Sequence, residues 1–135
     1  MILEKIIHQG SKTLKNNNIE TYQLDAQIIL SEIMGVNKEF LITNNEILIS
    51  EDIVKKYNSA ITRRTKREPI AYIIGKKEFW SNDFRVNSST LVPRPETELI
   101  IYKIINFFKN KKLNVLDIGT GSGCLLLTIL KELPF

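Results

Sequence analysis

Apolar residues recur at every third or fourth position through the first half of the chain, which is the spacing of amphipathic helices. The first apolar stripe consists of Ile2, Leu3, Ile6, Ile7 and Leu14. Asn16–Asn18 end this helix, and Thr21 is a candidate cap for the next. The second buried face consists of Leu24, Ile28 and Ile29. Gly35 is placed to stop this second helix.

Two more helices follow before residue 68. Asn37 can cap a short helix that carries Phe40 and Leu41. Ser50 can cap a longer one, because two acids follow it at the positive end of the helix dipole. The predicted core face of this longer helix consists of Ile53, Val54, Tyr57 and Ile61. Pro69 disfavours helix at the residue before it. Residues 1–68 are therefore predicted to form an all-helical bundle.

The spacing of apolar residues changes after Pro69. Three short segments rich in β-branched and aromatic residues follow, Ile70–Gly75, Lys76–Trp80 and Asp83–Val86. Gly75 and the pair Ser81-Asn82 separate them, as turn residues separate strands. We predict extended structure in all three segments and a β-hairpin linker over residues 69–90.

The last part of the chain, residues 91–135, returns to a helical pattern and then to an α/β pattern. Pro95 suits the first position of a helix. The predicted buried face of this helix consists of Leu99, Ile100, Ile104, Ile105 and Phe108. Leu113–Ile118 is predicted to be a buried strand, and Cys124–Leu133 a helix. The overall fold class is therefore α+β, ending in a first βα unit.

Composition narrows the class of protein. The chain has 135 residues, a net charge of +4 and 43% hydrophobic residues, which is ordinary for a globular protein. No apolar run reaches the length of a membrane span, and a single cysteine, Cys124, gives no basis for a metal site. Basic clusters at 63–67 and 109–112 are interpreted as solvated surface and linker, so direct nucleic-acid binding is not predicted. We expect a cytoplasmic protein.

The motif DIGTGSG, residues 117–123, carries the candidate chemistry. Glycines at this position let backbone amides approach a ligand closely. The dinucleotide pattern G-x-G-x-x-G fails at Cys124, and no P-loop sequence is present. Asp117 would repel a pyrophosphate and attract a cation, by about 4 kcal/mol for unit charges at about 4 Å. S-adenosylmethionine, with its sulfonium and ammonium groups, fits this loop; a tight turn without a ligand is the alternative.

Three stretches together resemble one protein family. The glycine loop resembles that of class I (Rossmann-like) S-adenosylmethionine-dependent methyltransferases. Arg67–Glu98, which contains PRPETE, and Leu24–Val36 resemble segments of the HemK/PrmC family, which methylates a glutamine side-chain nitrogen in peptide chain release factors. The resemblance covers almost the whole chain. Ser81 departs from it, because a glycine is expected there.

The resemblance implies roles for particular residues. Residues 1–68 would recognise a release factor near the ribosome. Asp117 would favour the cationic groups of the cofactor, and the backbone of the loop would lie along its methionine and ribose parts. These loop residues are Gly119, Thr120, Gly121, Ser122 and Gly123. A stiff segment would form one wall of the reaction pocket, and it consists of Pro93, Arg94, Pro95 and Thr97. The alternative is that this segment only starts a helix.

No catalytic residue and no metal ligand is predicted in this chain. The family's Asn-Pro-Pro-Tyr motif, which would hold the glutamine amide, does not occur in the sequence. We therefore expect the front part of a methyltransferase, inactive by itself. The alternatives are a non-catalytic module that docks on a release factor or a ribosome-bound partner, and a methyltransferase of the same fold that acts on another protein or on RNA.

Overall fold

The computed structural model of the chain describes residues 1–133. It contains two compact units, which divide between Ile74 and Gly75. The first unit contains α1 (Leu3–Asn16), α2 (Tyr22–Met34), α3 (Lys38–Thr43), α4 (Glu51–Thr65) and α5 (Ile70–Ile74). The second contains β1 (Lys76–Phe79), β2 (Asn82–Arg85), a 3₁₀ turn (Pro95–Thr97), α6 (Glu98–Phe108) and α7 (Cys124–Glu132). The fold class predicted from the sequence is confirmed, and the domain boundaries at 68 and 90 stay predictions.

The first unit is built around the apolar faces of α1, α2 and α4. Its fully buried side chains include Leu3, Ile6, Leu14, Ile29, Leu30 and Tyr57. Most of these positions were predicted, but Leu24 is 46% exposed. Leu24 lies in the first turn of α2, where the neighbouring Asp25 faces inward instead. A buried ion pair explains this orientation.

That ion pair joins α2 to α4. The Arg64 Nε donates to Asp25 Oδ2 at 2.7 Å, and both side chains are largely shielded from water. A second guanidinium nitrogen of Arg64 donates to the backbone oxygen of Glu68 at 3.1 Å. Such a pair is strongly destabilising to break, because one charge is then left buried alone. Part of the basic cluster 63–67 is therefore structural, rather than solvated surface as the sequence suggested.

The helix ends follow the predicted capping signals. The Asn37 Oδ1 accepts a hydrogen bond from Phe40 N at 2.8 Å, and the Ser50 Oγ accepts one from Ile53 N at 3.4 Å. Gly35 ends α2 in the left-handed conformation, with φ of 67°. Thr21 occupies the cap position of α2 but makes no side-chain hydrogen bond to it. Local signals thus fix most of the helix boundaries in this unit.

The strand predicted for Ile70–Gly75 is wrong, because Ile70–Ile74 forms the short helix α5. Tyr72 N donates to Pro69 O at 3.0 Å and begins the turn. Arg63 binds the Glu68 carboxylate, with Nε to Oε2 at 2.8 Å, and also the Tyr72 carbonyl at 3.1 Å. The hydrogen bond from Arg63 lowers the pKa of Glu68. Contacts with α4 therefore override the β-branched composition of the segment.

The predicted hairpin is present in the second unit. Strands β1 and β2 pair antiparallel, and Phe79 lies opposite Asn82. The two-residue turn is formed by Trp80 and Ser81, with φ of 51° and 55°. Positive φ at both residues is the geometry of a type I′ turn, which favours glycine or asparagine. Ser81 thus stands where a glycine was expected, in a conformation that a glycine would adopt without strain.

A small core joins the hairpin to α6 and α7. It contains Phe79, Phe84, Ile101 and Ile129. The two phenylalanine rings meet edge to face, with centroids 6.1 Å apart. The buried face predicted for α6 is wrong in part: Leu99 is 64% exposed, whereas Ile101, which was not predicted, is fully buried. The helix is thus turned about its axis relative to the prediction, because the hairpin packs on the side of α6 that carries Ile101.

The strand predicted for Leu113–Ile118 is not formed. These residues belong to no helix or strand, and the sheet found among the described residues has only two strands, β1 and β2. Leu116 and Ile118 are 84% and 88% exposed. An apolar segment adopts strand structure only when a neighbouring strand satisfies its backbone groups and covers its side chains. No such neighbour occurs within residues 1–133.

No helix within residues 1–133 has the length and apolar character of a membrane span.

Candidate functional site

The glycine loop lies between the segment at 113–118, where the predicted strand is not formed, and helix α7, which was predicted. Gly119, Gly121 and Gly123 all have positive φ, of 81°, 57° and 78°. In this region a side chain strains the backbone, so glycine suits the three positions for conformational reasons. Nothing lies within 4 Å of a Cβ built on Gly119. The face of the loop at Gly119 is therefore open to a ligand.

Local hydrogen bonds hold the loop in this shape. The Thr120 Oγ1 donates to Asp117 O at 3.0 Å, and Gly123 N donates to Thr120 O at 2.8 Å. Leu127 N then donates to Gly123 O at 2.9 Å, which begins the hydrogen-bond ladder of α7. A Cβ on Gly123 would lie 3.3 Å from the Leu127 side chain. Gly123 thus also allows the loop to pack closely on the helix that follows it.

Two polar atoms of the site are buried without a hydrogen-bond partner. They are Oδ2 of Asp117 and Oγ of Ser122. A buried carboxylate oxygen without a donor is costly, and the cost falls when a cation or a donor group comes within reach. The residues present therefore fit a positively charged ligand that can also accept or donate hydrogen bonds. They do not fit a pyrophosphate, which would add negative charge beside Asp117.

The Pro-Arg-Pro segment leads into α6. Arg94 is extended, with φ of −102° and ψ of 141°, and Pro95 begins the 3₁₀ turn. Both features were predicted from the two prolines. Pro93 is buried, Arg94 is exposed and Thr97 is half-buried. No hydrogen bond or ion pair between described residues links these side chains to the glycine loop, so their role as a pocket wall stays a prediction.

A set of hydrogen bonds around the hairpin turn was not predicted from the sequence. Trp80 N donates to Glu98 Oε1 at 2.8 Å, and the indole Nε1 of Trp80 donates to Glu132 Oε1 at 3.1 Å. Lys131 Nζ donates to Asn82 Oδ1 at 2.6 Å. The turn is thus fixed both to the first residue of α6 and to the last turn of α7. It connects the helix after Pro-Arg-Pro with the helix after the glycine loop.

Cys124 and His8 were not proposed to take part in the site, and the structure shows where each of them lies. Cys124 is the first residue of α7 and packs, half-buried, against the core of the second unit. His8 is exposed on α1. Within the described part of the chain, no group of three or more His, Cys, Asp or Glu side chains is arranged to hold a metal ion.

Comparison with known proteins identifies the first unit. Residues 5–75 match the family described as PrmC N-terminal domain. This range is slightly more than half of the chain and coincides closely with the helical unit that ends at Ile74.

The chain belongs to the PrmC N-terminal domain family.

Curated relatives extend the similarity into the second unit. The chain is 42% identical over 115 residues to the release factor glutamine methyltransferase of Buchnera aphidicola, covering 85% of this chain and 42% of that protein. It is 32% identical over 132 residues to the enzyme of that name in Aliivibrio fischeri, covering 98% and 46%. The corresponding protein of Clostridium botulinum is 35% identical over 130 residues, covering 96% and 46%. This PrmC N-terminal domain protein thus spans less than half the length of these relatives.

Proposed function

We propose that this chain forms the amino-terminal part of an S-adenosylmethionine-dependent methyltransferase that modifies a glutamine side-chain amide in peptide chain release factors. The observation that carries the proposal is the buried, partnerless Oδ2 of Asp117 beside three left-handed glycines. The relatives named release factor glutamine methyltransferase, aligned over most of the chain, support it. In this proposal the protein acts in the cytoplasm, together with the translation machinery.

In this proposal the glycine loop and Asp117 hold the methyl donor. Asp117 favours the sulfonium and ammonium charges, and Gly119–Gly123 lie along the methionine and ribose parts with Thr120 and Ser122 as polar contacts. The partnerless Oγ of Ser122 is consistent with such a contact. When bound, S-adenosylmethionine supplies an electrophilic methyl group. The chain's own residues bind and orient this group, and they exclude phosphate-bearing nucleotides through charge.

The Pro-Arg-Pro segment forms one wall of the pocket. Pro93, Pro95 and the extended Arg94 make a stiff stretch of backbone, and Thr97 follows in the first turn. Stiffness matters because an amide nitrogen is a poor nucleophile and must be held in line with the methyl group. The turn at Trp80 supports this wall, since Glu98 binds its backbone amide.

The first unit, residues 1–68 in the sequence-based division, recognises the release factor. It has its own apolar core and a buried ion pair between α2 and α4, so it can present a surface of fixed shape. The 135 residues contain no Asn-Pro-Pro-Tyr sequence. We therefore assign no catalytic residue to this chain and propose that it is inactive by itself.

A chimera tests the proposed function. The chain replaces the 132 aligned residues of the Aliivibrio fischeri relative, and methyl transfer from labelled S-adenosylmethionine to a purified release factor is measured. We expect label on a glutamine of the release factor, and a loss of at least tenfold in Asp117→Asn. A chimera that folds but transfers no label, or that is indifferent to Asp117→Asn, would contradict the proposal.

A non-catalytic docking module is the second candidate, and the self-contained core of the first unit favours it. Calorimetry with S-adenosylmethionine on the 135-residue chain bears on this choice. We expect no measurable heat, because the segment at 113–118 leaves the loop open on one side. Micromolar affinity would show that the niche is already complete in this chain.

A further inference from the structure

The first unit carries a groove of about 1350 Å³ formed by α1, the start of α2 and α3. Side chains from all three helices line it, among them Ile7 of α1, Leu24 of α2 and Ile42 of α3. Leu24 is 46% exposed and Ile42 is 68% exposed, whereas Ile7 is half-buried. Aliphatic side chains gathered in one concave region and left open to water are typical of a docking site for a protein segment.

A basic stripe runs along the same groove. Lys5, His8, Lys12 and Lys15 line it and follow the spacing i, i+3, i+7 and i+10, which places them on one side of α1. All four side chains are exposed. Within the described part of the chain, Lys5 and Lys12 form no ion pair. Lys15 lies over the Tyr22 ring, 5.6 Å from its centroid. The stripe is therefore available to an acidic partner.

Two acidic residues also line the groove, and their places along the helices matter. Glu4 lies in the first turn of α1, and Glu20 lies in the loop before α2. They lie near the two ends of the basic stripe in sequence. Glu4 is one turn before His8, whereas no acidic residue of α1 lies within one turn of Lys12 or Lys15. The charge that the groove presents along most of α1 is positive.

We propose that this groove docks an acidic amphipathic segment of the protein substrate, with its apolar face on Leu24 and Ile42 and its carboxylates toward Lys5 and Lys12. The proposal rests on the proposed function, because a release factor is the partner it concerns. A protein partner is favoured over RNA because the exposed contacts at Leu24 and Ile42 are aliphatic, and Tyr22, which also lines the groove, is half-buried with Lys15 Nζ over its ring. Single-stranded nucleic acid is held mainly by aromatic stacking.

The test measures binding of the full 135-residue chain to a purified peptide chain release factor by interferometry. One variant, Lys5→Glu/Lys12→Glu, reverses the stripe, and another, Leu24→Ser/Ile42→Ser, removes the apolar contacts. The control, Lys38→Glu/Lys55→Glu, makes the same change in net charge at two exposed lysines that do not line the groove. Circular dichroism verifies that each variant is folded.

We expect both groove variants to bind about tenfold more weakly than wild type and the control to stay within about twofold. Raising the salt concentration should weaken the binding of the wild-type chain more than the binding of Lys5→Glu/Lys12→Glu. Equal affinity in all variants would overturn the groove as the docking site and leave the proposed function standing. A wild-type chain that does not bind the release factor overturns both. The choice of a protein partner is overturned if a labelled 20-nucleotide RNA binds more tightly than the release factor and the same variants lose this RNA binding.

Discussion

The contact between Gly10 of α1 and Tyr57 of α4 gives a sharp prediction about the first unit. A Cβ added at Gly10 would lie 2.1 Å from the Tyr57 Oη and 2.7 Å from its Cζ. Tyr57 is fully buried, and its hydroxyl has no hydrogen-bond partner. Gly10→Ala therefore forces a fully enclosed ring to move, and the two helices must separate.

The expected loss of stability combines two opposing effects. Alanine is a better helix former than glycine, by about 1 kcal/mol. Overpacking a core costs about 1–3 kcal/mol, and a contact this close belongs at the upper end. The free energy of unfolding should therefore fall by about 2 kcal/mol. In a Tyr57→Phe background the nearest atom is gone, so the same substitution should cost about 1 kcal/mol.

Urea unfolding of wild type, both single variants and the double variant measures this coupling. Tyr57→Phe alone should lie within about 0.5 kcal/mol of wild type, since the lost hydroxyl has no partner. Gly35→Ala serves as the control. Gly35 has φ of 67° and open space around it, so its cost should be the same with Tyr57 or phenylalanine. A neutral or stabilising Gly10→Ala would refute the close packing of α1 on α4.

Three further predictions concern the turn, the ion pair and pH. Ser81→Gly should stabilise the chain by about 1 kcal/mol in urea, because glycine adopts the left-handed conformation freely, whereas Ser81→Ala should bring no gain. Asp25→Ala should lower the free energy of unfolding by about 3 kcal/mol, because it leaves Arg64 unpaired. Asp52→Ala breaks an exposed ion pair and should lower it by less than about 1 kcal/mol. Similar losses in the two variants would contradict the buried pair. Burial raises the pKa of Tyr57 above its usual value of about 10, so its stabilising effect is complete below that pH and is lost above it. Wild type should therefore lose more stability than Tyr57→Phe between pH 9 and 11, and equal losses would contradict the raised pKa.

Structure that depends on neighbouring residues was predictable from the sequence. Asn37, Ser50 and Gly35 end their helices as expected, because a cap acts within one turn. The hairpin was predicted from strand-type residues on either side of a two-residue turn. These features require no knowledge of the rest of the fold.

Structure that depends on distant contacts was not predictable. Ile70–Ile74 reads as a strand, but Arg63 and the core of the first unit hold it as a helix. Leu113–Ile118 also reads as a strand, yet it has no neighbour to pair with among the described residues. Periodicity reports the preference of a segment and does not report whether its partners are present.

The candidate site shows the same division. The glycines and Asp117 were recognised from their spacing, because positive φ and charge are properties of single residues. The bonds that Trp80 makes to Glu98 and Glu132 bridge 18 and 52 positions in the sequence. No local sequence pattern could have indicated these hydrogen bonds, although the sequence does show Glu98 shortly after Pro-Arg-Pro.

The central claim is that Asp117 and the glycine loop prepare a place for a positively charged methyl donor. Calorimetric titration of the chimera with S-adenosylmethionine and with NAD tests it most directly. We predict that S-adenosylmethionine binds and that NAD does not. We also predict that Asp117→Asn weakens the binding of S-adenosylmethionine by about tenfold, which is equivalent to about 1.4 kcal/mol. Tighter binding of NAD than of S-adenosylmethionine would contradict it.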